Sequence, residues 1–469
     1  MYSALKSMYS VVKAKVRCKS DLTETFFCPQ GLKQGDICSP LLFSLFINEL
    51  TNDILHKGKH GIPISPDIIE ILIMLFADDI ILLSYSITGL QQQLNILKST
   101  ADRLRLTVNL EKSKIVVFRK GGHLASLEKW FYGRERIEVV NQYKYLGIIF
   151  STGLTFSHSL NDMATRAKKS VLYILKILWK LNNHCPRLYF KLFDSQIQPM
   201  LTYGCEIWGL VADHSVLEKV HLLAIKRFLN VSIQTPSALV YGETGRYPLD
   251  ITTKTRCIKY WLKILRMPVD RLPYKAYHML YHLHCRDKNN WASSVCFSLY
   301  YYGFGFVWEN QGVGNMHAFL KQFKQRLIDS YRQGWNSAMH SKQRFEFFSS
   351  FKSTHSLSPY LFEMKNINLR KSIIRFRLGV SCLKPHRFRF SKSQTDFSCP
   401  FCPKVHESEY HFLLICPKYN GLRELFLPNK FFINPTKFKM SILLASPKHV
   451  IGVANFVSKA FELRNSPDS

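Results

Sequence analysis

Apolar positions recur along this chain in two rhythms, and the change from one to the other falls at about residue 156. Before it, short β-rich runs dominate. Residues 68–84 read IIEILIMLFADDIILLS, two apolar runs around a sharp acidic break, which predicts a β-hairpin. A helix follows, because Leu90, Leu94, Leu97, Ala101 and Leu104 recur at three- and four-residue steps. Val108 to Phe118 and Tyr143 to Phe150 return to strand character. Upstream, residues 22–50 read as a short extended piece, a glycine-rich turn and an apolar helix from Leu41 to Leu50. Beyond residue 156 the period becomes helical. Leu160, Met163, Ala167, Val171, Ile174 and Leu178 form one stripe, surrounded by Arg166, Lys168, Lys169, Lys176 and Lys180. Val216 to Leu229 predicts a second basic amphipathic helix. Residues 236–370 are mixed and rich in aromatics, with no catalytic motif. The rest holds a basic segment starting at Arg370, a cysteine cluster and a final helix. No internal repeat is visible.

Composition narrows the class. Hydrophobic residues make up 46% and charged residues 21% of 469, a globular balance with room for two to four domains. Sixty-four Lys and Arg against 33 Asp and Glu give a formal charge of +31, spread along the chain. Such a surface attracts a phosphate backbone and releases its counterions. A nucleic-acid partner is therefore expected ahead of an anionic membrane. Nine of the twelve cysteines (Cys18, Cys28, Cys38, Cys185, Cys205, Cys257, Cys285, Cys296 and Cys382) are scattered without a disulfide framework, which suits a reducing compartment. The opening MYSALKSMYS lacks an apolar core, so no signal peptide is predicted. The longest uncharged stretch, Asn289 to Trp308, carries Asn, Ser, Gly and three consecutive Tyr. It is a poor membrane span and reads as a packed aromatic segment; no membrane partner is expected.

Two constellations carry chemistry. Asp78 and Asp79 sit at the break of the predicted hairpin. A pair of carboxylates there is compatible with a solvated turn. The pair alone favours that solvated turn; as a metal site it would suit Mg²⁺ or Mn²⁺, which want hard oxygen ligands converging on one point. Near the C-terminus, Cys399-x2-Cys402, His411 and Cys416 give the spacing C-x2-C-x8-H-x4-C, which suits tetrahedral Zn²⁺. His406 competes for the fourth position. Four protein ligands would leave no open site, so zinc there is expected to be structural. The neighbouring Arg370, Arg375, Arg377, Arg387 and Arg389 suggest an RNA- or DNA-binding module.

The order of several short motifs resembles reverse transcriptases. Gly31-Leu-Lys-Gln34-Gly35-Asp-Ile-Cys-Ser39-Pro40-Leu-Leu-Phe43 is similar to the family's motif B, which holds template and incoming nucleotide. Phe76-Ala-Asp78-Asp79 resembles motif C, the metal-binding pair. Asn109-Leu-Glu-Lys112-Ser-Lys114 resembles motif D, in which Lys112 falls at the lysine suggested to protonate the leaving pyrophosphate; a merely solvated Lys112 is equally compatible. Tyr143-Lys-Tyr145-Leu-Gly147 resembles the primer-grip hairpin. Pro199 to Gly209 and Val240 to Leu249 are similar to segments of non-LTR, LINE-like elements. Cys-x2-Cys with Glu409-x-His411 and Cys416-Pro-Lys-Tyr419 resembles their C-terminal zinc-binding domain.

The resemblance implies an α+β fold. A partial right-hand polymerase palm, an antiparallel sheet with helices, would occupy 1–150. A thumb-like helical region (151–235), a helical connector (236–368) and a zinc-binding domain with a final helix (369–469) would follow. It further implies an RNA-directed DNA polymerase acting on an RNA template and a DNA primer or target, in nucleus and cytoplasm. The family's metal site uses a third carboxylate, from a motif several tens of residues before motif B. Only thirty residues precede Gly31, and the sole Asp among them, Asp21, lies too close to serve. The expectation is that fingers and third carboxylate lie outside this sequence and that the chain alone does not polymerise DNA.

Overall fold

The alternation at 68–84 becomes an antiparallel hairpin in the computed structural model, with β1 (Ile73–Phe76) paired to β2 (Asp79–Leu82). The structure describes residues 2–28, 31–33, 35–64, 70–387 and 397–465. Gln34 and Arg389, and the side chain of Arg387, lie outside the described residues. The chain divides into two units. The first holds residues 1–144 with 151–154, the second 145–150 with 155–469.

In the first unit a short helix, α1 (Tyr2–Ser10), precedes the glycine turn, and α2 (Ser39–Lys57) follows it. The second of these was expected only from Leu41 to Leu50. It runs further because the apolar period continues through Ile54, which is buried with Ile47 and Leu50. α3 (Ile87–Leu104) is capped by Ser86, whose side chain accepts from the Gly89 N–H. It buries Leu94, Leu97 and Ala101 against α2. Arg103 clamps the pair through Glu49 at 2.6 Å and Asp53 at 2.8 Å. The strand expected over Val108 to Phe118 shrinks to β3 (Lys114–Ile115), which pairs in parallel with β4 (Glu138–Val139). Among the described residues the expected antiparallel palm sheet is reduced to separate strand pairs, and every sheet has two strands. Strand edges and apolar side chains such as Met74 and Phe76 consequently face solvent.

A hairpin of β5 (Gln142–Tyr145) and β6 (Ile148–Ser151) follows, and then the predicted long helix, α4 (Ser157–Lys180). Its stripe is real: Leu160, Met163, Ala167, Val171 and Leu178 are buried, while its lysines stay outside. α5 (Ser215–Leu229) packs on it. Next come α6 (Ser237–Thr244), α7 (Leu249–Leu265), α8 (Leu272–Cys285), α9 (Trp291–Tyr301), α10 (Met316–Ser341) and α11 (Ile367–Arg377). A small hairpin, β7 (Ser398–Cys399) with β8 (Cys402–His406), and α12 (Val450–Arg464) complete the unit. One core joins residues of α4, α5 and α6 to α11 and α12, far apart in sequence. A second core lies among α7, α9 and α10. The stretch read as a packed aromatic segment is only half packed. Val295, Leu299, Val307 and Trp308 are buried, but Phe297, Tyr300, Tyr301 and Phe306 are exposed. Among the described residues no single helix is long and apolar enough to cross a membrane.

Candidate functional sites

The β1–β2 register pairs Phe76 with Asp79, so Ala77 and Asp78 form a two-residue turn. Such turns need left-handed backbone and favour Gly or Asn. Here Ala77 takes it, at φ 53°. The tight turn sets Asp78 and Asp79 side by side and exposed at one tip. Two acceptor-only groups without a buried environment can attract a hard cation. Among the described residues, no third His, Cys, Asp or Glu joins them in a group able to hold a metal.

Around the glycine turn, Gly31 and Gly35 adopt φ 89° and 83° with open space where a Cβ would lie. Their role in the fold is thus the left-handed backbone rather than a close approach by protein. Ser39 begins α2 and Pro40 occupies its first turn, but Ser39 does not cap the helix. Its hydroxyl donates to the Lys33 carbonyl at 2.7 Å. Tyr9 of α1 donates to Asp36 at 2.5 Å, and this hydrogen bond holds the Asp36 carboxyl below its ordinary range. Lys112 is exposed in a turn closed by Asn109, whose side chain accepts from the Lys112 N–H at 3.0 Å. Lys114 instead pairs with Glu138 at 2.7 Å. The primer-grip-like turn has left-handed Leu146 and Gly147, at φ 46° and 82°. In the second unit Tyr203 donates to the Leu146 carbonyl at 2.7 Å, so the segment around Pro199 to Gly209 buttresses that turn.

The second constellation closes. Cys399 and Cys402 face each other across the β7–β8 knuckle. His411 and Cys416 are five residues apart; on an α-helix that leaves them about 140° out of line. The chain solves this with a π turn, His411–Ile415, closed by the Cys416 N–H donating to the His411 carbonyl at 2.8 Å. The four ligand atoms lie within 4.8 Å of one another. Cys416 Sγ is 3.9 Å from Cys399 Sγ and 3.7 Å from Cys402 Sγ. A tetrahedron with Zn–S bonds of about 2.3 Å has sulfur–sulfur edges of about 3.8 Å, whereas a disulfide needs about 2.05 Å. His411 Nε2 is buried without a hydrogen-bond partner. Burial lowers the His411 imidazole pKa and pushes the Cys416 thiol up to about 12. A cation among the sulfurs would reverse the thiol shift. These residues fit a tetrahedral, thiolate-rich ion such as zinc. His406 stands apart, exposed on β8 beside Phe397.

A supporting layer surrounds the cluster that spacing alone did not reveal. Buried Arg423 donates to the carbonyls of Leu413 at 3.0 Å and Cys416 at 2.6 Å, fixing the π turn. Glu407 accepts from the Lys384 N–H at 2.7 Å and pairs with Arg464. Glu409 holds His386 at 2.7 Å. The basic segment requires a correction. Arg370 and Arg377 are buried and spent on the core, not presented to a ligand. Arg377 donates to Glu243 at 2.7 Å and to the Leu444 carbonyl at 2.5 Å, and Tyr360 donates to the same carboxylate. Burial alone would raise the Glu243 carboxyl, but the Arg377 guanidinium outweighs it and holds the pKa low. Gly245 beside it has φ 65°, and a Cβ there would stand 2.4 Å from the Leu357 backbone nitrogen. Arg375 is exposed and donates to the Asn230 carbonyl.

Residues 2–150 match a family model described as reverse transcriptase (RNA-dependent DNA polymerase). The RNA-directed DNA polymerase from mobile element jockey of Drosophila melanogaster is 26% identical over 208 residues, 43% of this chain and 22% of that protein. A Retrovirus-related Pol polyprotein from the type-1 retrotransposable element R2 of Popillia japonica is 26% identical over 47% of this chain and 36% of its own length. A Pol polyprotein from a type-1 element of Nasonia vitripennis is 18% identical over 93% of this chain and 97% of its own length. The aligned part spans about a quarter of the two Drosophila jockey proteins, at 22% and 25%.

Proposed function

We propose that this chain, whose residues 2–150 form a reverse transcriptase domain homologous to the RNA-directed DNA polymerases of non-LTR retrotransposons, contributes part of the machinery that copies RNA into DNA at a primed target. The observation that carries this reading is the hairpin tip, where two adjacent carboxylates stand exposed within the matched domain. In this reading Asp78 and Asp79 bind divalent metal. Gly31, Gln34, Gly35, Ser39 and Pro40 position template and nucleotide, and Lys112 supplies a proton to the leaving group. A bound Mg²⁺ or Mn²⁺ would supply charge neutralisation at the attacking and leaving oxygens. The Cys399, Cys402, His411 and Cys416 cluster would hold structural zinc. The thumb-like, connector and zinc-binding divisions at 151–235, 236–368 and 369–469 belong to the same proposal, as does action in nucleus and cytoplasm.

A second reading is favoured by one specific observation. No third ligand joins the Asp pair among the described residues. A two-metal clamp needs a bridging ligand from another segment. The chain by itself is therefore expected to bind RNA or DNA without extending a primer. Primer extension on a homopolymer template decides between the two. Robust Mg²⁺-dependent synthesis that disappears in Asp79→Ala would overturn the inactive reading. A filter-binding salt titration tests what both share, with affinity falling steeply as salt rises.

A further inference from the structure

The exposed rings of α9 border a pocket of about 550 Å³ in the second unit. Phe297 is 71% and Tyr301 67% exposed, and their rings lie 6.0 Å apart at 28°, a stacked pair turned to solvent. Aromatic side chains of this size are normally buried. Their helix is fixed at its start by an Asn290–Ser293 capping box. Ser298 also lines the pocket. It is 4% exposed, and its hydroxyl is buried without a hydrogen-bond partner. An orphaned hydroxyl in a pocket wall calls for a polar ligand. On the α7 side stand Asp250 and Lys254, paired at 2.7 Å, with His214 3.7 Å from the other Asp250 oxygen. Asp250 is itself partly exposed, leaving lone pairs for a ligand.

A ligand for this pocket is flat, stacks on aromatic rings, and offers a donor to a carboxylate and a hydrogen bond to a hydroxyl. We infer that the pocket takes an unpaired nucleobase of a single-stranded nucleic acid, with preference for bases bearing an exocyclic amino group. The rings stack the base, Asp250 accepts from the amino group, and Ser298 completes the edge. The charge of +31 brings the strand's phosphates to the surface. The inference rests on the nucleic-acid reading above and adds to it a base-reading site remote in sequence from the hairpin.

The test is fluorescence anisotropy on the full chain with labelled twelve-residue oligomers of A, C and U as RNA, of A and T as DNA, and a blunt duplex. The double variant Phe297→Ala/Tyr301→Ala should bind single strands roughly tenfold more weakly or worse, and the duplex as before. The replaced rings are exposed, so circular dichroism should be unchanged. The unmodified chain should favour A and C over U, and Asp250→Asn should narrow that gap. Equal loss on RNA and DNA marks the base as the ligand, and loss confined to RNA marks RNA as its source. A double variant that matches the unmodified chain on every single strand overturns the pocket alone. Absence of salt-sensitive binding by the unmodified chain overturns the nucleic-acid reading and the pocket with it.

Discussion

The hairpin tip and the cysteine–histidine cluster are both candidate metal sites, and they are built in opposite ways. The cluster draws four ligands from one stretch of 18 residues, buries three of them, and braces the π turn between His411 and Cys416 with Arg423. The tip offers two carboxylates in solvent on a two-stranded ribbon, with no third ligand among the described residues. A metal that stabilises a fold must be held by the fold alone. A metal that serves a reaction must leave positions for the reacting groups. The comparison predicts that stability and chemistry are separable here. Removing zinc, or Cys416→Ala, should cost on the order of 5 kcal/mol or more and abolish the cooperative melting of the second unit. The checks are calorimetry and a colorimetric count of one zinc released per chain. Asp78→Asn with Asp79→Asn should shift melting by less than about 0.5 kcal/mol. A double Asn variant that unfolds would break the contrast.

The second unit also holds a device with no counterpart at the tip, the buried ion pair of Arg377 and Glu243. Its desolvation is offset only while both charges and Tyr360 are present. Glu243→Gln leaves a buried guanidinium uncompensated and should cost about 3–5 kcal/mol, read as a lower urea midpoint. Replacing both residues by apolar side chains of similar volume should cost much less. If the single and double replacements cost the same, the buried charge is not what the carboxylate answers.

The sequence made some of this legible and hid the rest for physical reasons. Periodicity located α3, α4 and α5 because each buries one stripe, and the apolar–acidic–apolar run located the β1–β2 hairpin. Spacing picked out Cys399, Cys402 and Cys416, since a Cys-x2-Cys knuckle is a local device. It set His411 fourth with His406 as a competitor, but did not show the π turn that returns His411 to Cys416, which has no sequence spacing of its own. Arg370 and Arg377 read as a surface patch because charge is usually solvated; their partners, the His184 carbonyl and Glu243, lie more than a hundred residues away. The exposed rings of Phe297 and Tyr301 were hidden by the reverse error, apolar residues being usually packed.

Acid should sharpen the contrast again. His355 is packed among the rings of Tyr247, Tyr331 and Trp335, and burial, helped by Arg332 and Lys352, lowers its pKa to about 4. Unfolded, it titrates near 6.5. Between those values the unfolded chain binds a proton that the folded chain refuses. Its contribution is therefore complete above about pH 6.5 and is lost progressively as pH falls toward about 4. With zinc saturating, the urea midpoint of the second unit should drop between pH 7 and 5.5, and His355→Phe should flatten that drop. An equal slope in the variant would assign the loss to other groups.

The smallest effect is expected at the hairpin turn, where Ala77 holds φ 53° between Phe76 and Asp78. A Cβ makes the left-handed region cost about 1–2 kcal/mol, and glycine does not incur that cost. Glycine also has more freedom to lose on folding, by about 0.5–1 kcal/mol. The two terms leave Ala77→Gly more stable by roughly 0.5 kcal/mol. Ala77→Val should move the other way and further, because β-branching makes that backbone a true outlier. Hydrogen exchange of the β1 and β2 amides measures the change locally, without interference from the larger unit. If protection falls in the glycine variant, the alanine turn is not strained. If it rises, the tip stores a small strain at the place where its two carboxylates must be aimed, whereas the cysteine–histidine cluster is aimed by ligands and core together.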